Sequence, residues 1–186
     1  MVRPLQAPVA PAAVLAAQAL RSGVPVDALL AGVVDAVATA AEVDAALLLP
    51  AWRAADPAQL VVALDALSQV GVPYRRLGDR PELGFDCSGL TSWSWANVGV
   101  ELPHASGGQL ALEGHRADQA QLADLVGYPG HVMLYVGGGV IVHAPYSGTT
   151  VEVQALRRHV DHFVTPAFVA GVTSRNAFVM PRVRVF

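Results

Sequence analysis

The stretch GFDCSGL, residues 84–90, contains the single cysteine of this 186-residue chain, and the predicted fold is organised around it. Asp86 stands where a helix cap is expected, and Gly99 follows the next apolar residues as a stop signal. The sequence therefore predicts a helix from Cys87 to Asn97. The positive end of a helix dipole favours an anion, so a cysteine at the first position of this helix is suited to act as a thiolate nucleophile.

Two histidines lie at the ends of a predicted β-hairpin, residues 131–145. Its flanks are apolar and β-branched, and three glycines at residues 137–139 favour a tight turn. If all three glycines form the loop, Met133 lies opposite His143. His131 and His143 then share one face as diagonal neighbours, about 7–8 Å apart at the backbone. A two-residue loop is expected to place them on opposite faces, so the register is a structural prediction.

A thiol and two imidazoles form a recognisable catalytic set. His131 would take the proton of Cys87, while His143 would orient His131 and support its protonated form. Three other interpretations stay open: a buried cysteine without chemistry, satisfied histidines at a sheet edge, and a zinc site. No CxxC or HExxH spacing supports the zinc site, and we expect neither a metal nor a cofactor.

The first part of the chain, residues 1–55, is rich in alanine and predicts helices. One helix is expected over residues 12–22, after an irregular lead-in. A second is expected from Asp27, as its cap, towards Leu49, with Pro50 marking its end. Both are apolar on most faces and need a partner surface. The segment is interpreted as a packed structural arm, with a lid over an active site and an oligomer contact as alternatives.

A third helix marks the proposed domain boundary. Asp56 stands at the N-cap, Pro57 at the first helical position and Gln59 at the third, which is a capping-box pattern. We therefore expect a helical N-terminal segment over residues 1–55 and a second domain over residues 56–186.

Shorter segments predict further strands. Residues 124–126 and 149–153 alternate or are apolar in the way strands require, and residues 163–186 are rich in β-branched and aromatic side chains. We expect the last of these to form a terminal strand or an arm against the core.

Composition excludes several classes of function. Hydrophobic residues make up 53% of the chain and the net charge is −3, with no basic run that would indicate a nucleic-acid surface. No apolar run reaches the roughly 18 residues of a membrane helix. One cysteine cannot form an internal disulfide. The oligomeric state is left open by the sequence.

Three motifs resemble the NlpC/P60 family of papain-like cysteine peptidases: FDCSGL at residues 85–90, GHV at 130–132 and VHAP at 142–145. The resemblance spans roughly residues 58–155 and preserves the order of cysteine, histidine, histidine. It implies an α+β, papain-like fold in which the cysteine helix packs on an antiparallel sheet. It also implies Cys87 as nucleophile, His131 as base and His143 as its orienter.

The resemblance further implies cleavage of peptidoglycan stem peptides, usually between D-γ-glutamate and the diamino acid. Tyr74 would lie on the oxyanion side, with Asp86 and Ser88 lining the substrate groove. The implied partners are stem peptides or muropeptides, and the implied location is secreted or in the cell envelope. No export signal is visible in the chain, and a cytoplasmic location is the alternative. The alternative functions are an inactive wall-binding module and a related amidase or acyltransferase.

Overall fold

A five-stranded antiparallel sheet packed against helices makes up the described part of this computed structural model, residues 6–157 and 159–166. The sheet has the strand order β6-β5-β4-β3-β7, and β1 and β2 form a separate two-stranded ribbon. The helices are α1 (Val9–Arg21), α2 (Asp27–Ala41), α3 (Leu49–Ala54), α4 (Pro57–Ser68), α5 (Cys87–Ala96) and α6 (Ser106–Leu110). The strands are β1 (Asp79–Arg80), β2 (Gly84–Phe85), β3 (Leu125–Tyr128), β4 (His131–Gly137), β5 (Val140–His143), β6 (Glu152–Ala155) and β7 (Phe163–Val164).

The expected α+β architecture is confirmed, because α5 packs against β4 of the antiparallel sheet. The strand expected over residues 124–126 is present as β3. The strand expected over residues 149–153 begins later, at Glu152. Of the C-terminal segment, β7 is a short strand beside β3. The rest of that prediction, from residue 167 onward, lies outside the described residues.

Two prolines of the N-terminal segment lie in the first turns of helices, contrary to the prediction. The first helix begins at Val9 rather than residue 12, and Pro11 lies in its first turn. The helix expected to run to Leu49 ends instead at Ala41, where Glu42 takes a left-handed backbone conformation with φ of 57°. Pro50 then lies in the first turn of α3 instead of ending a helix. A proline is tolerated in a first turn because the N–H it lacks has no partner there.

Asp27 does not cap α2, since Val26 occupies the N-cap and no side chain bonds to the helix start. Asp27 instead lies in the first turn of α2, where its negative charge is placed favourably for the helix dipole. The capping box of α4 is confirmed. The Asp56 carboxylate accepts the backbone N–H of Gln59 at 2.8 Å, and the Gln59 side chain accepts the N–H of Asp56 at 2.9 Å.

The N-terminal helices share one hydrophobic core with the sheet. Helix α1 packs against α2 and α4, α2 packs against β6, and α3 packs against β4. Nη2 of Arg21 also donates to both carboxylate oxygens of Asp65 on α4, each within 2.6 Å. These contacts favour the structural arm over the lid, while the division of the chain at residue 56 stays a prediction.

The outer edge of β6 is covered by a side chain. The amide of Gln6 donates to the carbonyl of Val153 at 3.0 Å and accepts the N–H of the same residue at 2.8 Å. Gln6 thereby pairs with the backbone of Val153 as a residue of a neighbouring strand would.

The β4–β5 hairpin has a different turn from the one expected, with the same register beyond it. Gly137 pairs with Val140, so the loop has two residues, both with positive φ (56° and 75°). A β-bulge between Tyr135 and Gly137 adds the residue that the shorter loop removes, because it leaves Val136 outside the ladder. The expectation of a three-residue loop was wrong, and the bulge restores the register that the expectation required.

The bulge also attaches the N-terminal segment to the sheet. The carbonyl oxygen of Val136 accepts the indole N–H of Trp52 on α3 at 2.9 Å, and this hydrogen bond is buried. The backbone of Leu47 lies so close to Gly138 that a Cβ atom there would come within 2.8 Å of it. The turn end of the hairpin is therefore a contact surface for residues of the N-terminal segment.

Candidate active site

Asp86 organises the start of the cysteine helix. Its carboxylate caps α5 by accepting the backbone N–H of Gly89 at 2.8 Å, as the sequence predicted. It also accepts the backbone N–H of Leu77 at 2.9 Å and the hydroxyl of Ser88 at 3.2 Å. Nε2 of His104 lies 2.9 Å from the same carboxylate. Asp86 thus joins the helix start to two separate loops.

Glycine at position 89 permits this arrangement. A Cβ atom on Gly89 would lie 1.9 Å from the carbonyl oxygen of Gly78 and 3.0 Å from Nε2 of His104. The same Gly78 carbonyl accepts the backbone N–H of Asp86 at 2.9 Å. Any side chain at residue 89 would push the loop away from the helix start, and with it the surroundings of Cys87.

Cys87 is half-buried at the first position of α5, next to the buried side chains of Asp86 and Ser88. Among the described residues, its sulfur makes no hydrogen bond to either imidazole. The helix start supplies the positive end of the α5 dipole at this residue.

His131 and His143 form a hydrogen-bonded pair at the ends of adjacent strands. Nε2 of His131 lies 2.7 Å from Nδ1 of His143, and the rings meet edge to face with centroids 5.0 Å apart. Leu134 pairs with Val142, and alternation of side chains from that pair puts residues 131 and 143 on one face. The pair uses one nitrogen of His131, so Nδ1 has no hydrogen-bond partner among the described residues.

Burial keeps both rings neutral near pH 7. It lowers the pKa of His131 from its ordinary value of 6.5. Burial, with a smaller contribution from His131, lowers the pKa of His143 to about 3. Removal from water disfavours the charged form of an imidazole. The pair therefore holds two protons at neutral pH, one on each ring.

Tyr74 lies beside the cysteine. Its backbone bridges to Phe85 of β2, and its N–H donates to the carbonyl of Thr149 at 2.8 Å. Burial raises the pKa of Tyr74, and the nearby carboxylate of Asp86 raises it further. At neutral pH the phenol is thus a hydrogen-bond donor near the helix start.

Two glutamines of this region were not singled out as site residues from the sequence. Gln109 is fully buried and joins α6 to α5, with bonds to the Thr91 hydroxyl at 2.6 Å and to the carbonyls of Ser88 and Pro103. Gln154 on β6 contacts Nε2 of His143 with its side-chain amide. For Gln109 an available signal was the stretch GGQ at residues 107–109, which also resembles the NlpC/P60 family. For Gln154 nothing in the alternation of β6 distinguished it from a surface residue.

Within residues 6–157 and 159–166, no group of three histidine, cysteine or acidic side chains is arranged to hold a metal ion. The helices described here include none long and apolar enough to cross a membrane.

Comparison with known proteins places this geometry in a family. The peptidoglycan endopeptidase RipA of Mycobacterium tuberculosis is 37% identical over 109 residues, covering 49% of this chain and 23% of RipA. A solved structure of a RipA mutant superposes with a TM-score of 0.54 at 34% identity, covering 59% of this chain and 62% of that one. The bifunctional muramidase/DL-endopeptidase CwlT of Bacillus subtilis is 39% identical over 101 residues, covering 47% of this chain and 29% of CwlT.

A third relative is described as non-catalytic. RipD of Mycobacterium tuberculosis, an NlpC/p60 domain protein adapted to peptidoglycan binding, superposes with a TM-score of 0.52 at 28% identity, over 60% of this chain and 98% of that one. The chain spans less than a third of the length of RipA or CwlT. The profile of the NlpC/P60 family matches residues 71–167, more than half of the chain and all of the strands that carry the two histidines. The chain belongs to the NlpC/P60 family.

Proposed function

We propose that this protein is a cysteine endopeptidase that cleaves peptidoglycan stem peptides with Cys87 as nucleophile, His131 as base and His143 as orienter. The observation that supports it most is the 2.7 Å contact between two buried, neutral imidazoles. It leaves Nδ1 of His131 without another partner. A neutral imidazole with a free nitrogen is what a general base requires.

The reaction begins with proton transfer from the Cys87 thiol to Nδ1 of His131. The sulfur attacks the scissile carbonyl carbon, and the C=O electron pair moves onto oxygen to give a tetrahedral intermediate. The intermediate collapses as the C–N bond breaks, and the leaving amine takes the proton from His131. Water then attacks the acyl-enzyme with His131 again as base, releasing the carboxylate product and the thiol.

The oxyanion requires donors that are already in position. The backbone N–H of Cys87, at the start of α5, is one candidate, since the first N–H groups of a helix have no partner within it. The hydroxyl of Tyr74 is the second. Its raised pKa keeps it protonated, which is the form that can donate to an oxyanion.

The substrate assignment rests on the relatives. RipA is named a peptidoglycan endopeptidase and CwlT a DL-endopeptidase, which supports the bond between D-γ-glutamate and the diamino acid. Asp86 and Ser88, on either side of Cys87 in the sequence, would line the part of the site that receives the stem peptide. A substrate in the cell wall implies that the protein acts outside the cytoplasm or in the envelope.

Digestion of defined muropeptides tests the proposal, with mass spectrometry of the products. Cys87→Ala and His131→Ala should each lower turnover more than about 10³-fold while leaving the unfolding transition in place. His159→Ala removes an exposed histidine and serves as the matched control, with turnover expected to stay at the parent value. Wall-peptide digestion by Cys87→Ala at the parent rate would contradict the assignment. Products cut at a sugar–peptide amide, or joined to an added amine, would indicate an amidase or acyltransferase using the same three residues.

A non-catalytic wall-binding module is the second candidate. Two observations favour it: the similarity to RipD, and the absence of a hydrogen bond from the Cys87 sulfur to either ring among the described residues. Alkylation of Cys87 across a pH series separates the two candidates. A thiol that titrates near the ordinary value of about 8.5, together with no turnover and measurable binding to peptidoglycan, would support the module.

A further inference from the structure

His143 is held from both sides. The ring is 4% exposed, Nδ1 faces His131, and Nε2 faces the side-chain amide of Gln154. Gln154 reaches this position from β6, where it pairs in register with Ile141, two residues before His143 on β5. We propose that Gln154 is a positioning residue: its amide decides which ring nitrogen of His143 carries the proton and, through that ring, which nitrogen of His131 does. The inference rests on the proposed function of His131 as base.

The number of protons on the two rings decides which nitrogen can act as base. A neutral imidazole has one N–H donor and one acceptor nitrogen. If Nδ1 of His131 is to accept the thiol proton, Nε2 of His131 must carry the hydrogen and donate it to Nδ1 of His143. The proton of His143 is then on Nε2, where it requires an acceptor, and the carbonyl oxygen of the Gln154 amide is within reach.

The opposite order stops the reaction. If the amide nitrogen of Gln154 donates to Nε2, His143 must carry its hydrogen on Nδ1 and donate it to His131. His131 then carries its own hydrogen on Nδ1 and has no acceptor for the thiol proton. The structure has the amide nitrogen facing Nε2. A half-turn of the amide about its last bond exchanges the two arrangements of protons. A glutamine can support either arrangement, whereas a glutamate, which only accepts hydrogen bonds, supports one of them.

The ionisable groups near His143 do not take over the positioning role of Gln154. Among the described residues, the ionisable groups that face it are His131, Glu152 and, lining the same cleft of about 160 Å³, Tyr128 and Arg157. Oε1 of Glu152 is 4.0 Å from Nε2, which is beyond hydrogen-bond length. Because burial keeps the His143 ring neutral, it transmits the position of a proton and not a charge.

Three variants test the proposal: Gln154→Met, which keeps the length and removes the amide; Gln154→Glu, which can only accept; and Gln119→Met, the same exchange at an exposed glutamine. For Gln154→Met, the kcat of muropeptide turnover should fall about 10- to 100-fold, with KM within twofold. Losses of this size follow removal of the hydrogen-bond partner of a metal-binding side chain. Gln154→Glu should lose less, and the acid limb of its pH profile should move to higher pH because a carboxylate favours the imidazolium. Gln119→Met should match the parent.

A readout without turnover separates this inference from the proposed function. Long-range ¹H–¹⁵N NMR correlations in the Cys87→Ala protein report which nitrogen of each ring carries hydrogen. Gln154→Glu should place the hydrogen of both rings on Nε2, and Gln154→Met should leave a mixture. If the tautomers respond while the parent protein digests no muropeptide, the proposed function fails and the coupling stands. If kcat and both tautomers are the same in Gln154→Met and the parent, the positioning role is refuted.

Discussion

The two ends of the β4–β5 hairpin are made by the same two strands and have opposite characters. One end presents the hydrogen-bonded rings of His131 and His143. The other end, about 20 Å away along the seven residues of β4, is a glycine turn against the N-terminal segment, tied by the bond from Trp52 to Val136. One end thus carries the polar site, and the other carries the contacts that attach the N-terminal segment. Substitutions at the turn end should therefore affect stability at any pH, and those at the histidine end should affect chemistry and the pH dependence of stability.

The largest expected effect on stability separates two neighbouring glycines of the turn. Gly138→Ala and Gly139→Ala both place a side chain in the left-handed region, which costs roughly 1–2 kcal/mol. Only the Cβ at residue 138 meets the backbone of Leu47, at 2.8 Å, while residue 139 faces open space. Urea unfolding should show Gly138→Ala to be about 1–3 kcal/mol less stable than Gly139→Ala. Equal stability of the two variants would remove the turn end as an attachment point.

The next effect is the pH dependence of the histidine end. In the unfolded chain His143 has the ordinary pKa of 6.5, and in the folded protein it has about 3, so the unfolded state binds more protons in between. The stabilisation by the neutral ring is complete above pH 6.5 and is lost as the pH falls from 6.5 towards 3. Between pH 7 and pH 5 the parent should lose about 2 kcal/mol more unfolding free energy than His143→Gln.

The comparison with His143→Gln is needed because other buried groups also change their protonation with pH. Burial raises the pKa of Asp65 and of Asp124, so each of them favours the folded state as the pH falls and opposes the loss from His143. Both carboxyl groups, and His131 with its lowered pKa, are present in parent and variant, so their contributions cancel in the difference. Parallel stability curves for the two proteins would mean that His143 is not held neutral by folding.

A smaller effect tests the bond that attaches α3 to the bulge. Trp52→Phe keeps an aromatic ring and removes the N–H, which leaves the buried carbonyl of Val136 without this partner. The expected loss is about 1–2 kcal/mol in urea unfolding. Muropeptide kcat and KM should stay within twofold of the parent. A large loss of kcat in a protein of parent stability would show that the two ends do not act separately.

The smallest effect concerns the helix that joins the two parts of the chain. Asp56→Ala removes one half of the α4 capping box and should cost about 1 kcal/mol. Asp44→Ala, which removes an exposed cap of the short 3-10 helix Ala45–Leu47, is the matched control and should cost less. If both variants lose the same stability in urea unfolding, the Asp56 side chain stabilises α4 no more than an exposed cap stabilises the short 3-10 helix.

Sequence reasoning succeeded where the signal was local. Asp86 and Asp56 were identified as caps because a cap needs only the residues that follow it. The shared face of His131 and His143 was predicted from a three-residue loop and is present only because the bulge compensates for a shorter one. Sequence reasoning failed where the choice depended on distant packing. The bulge at Val136 is fixed in part by Trp52, which is 84 residues away in sequence. Pro50 could end one helix or begin another, and only the packing of α3 against β4 decides between them.

The amide of Gln6 has a consequence for how this protein behaves in solution. β6 is the outermost strand of its sheet, and exposed N–H and C=O groups along such a strand are a template for adding another chain. By occupying both backbone groups of Val153, Gln6 closes the middle of that template with one side chain. Self-association by strand addition is thereby disfavoured at this edge of the sheet.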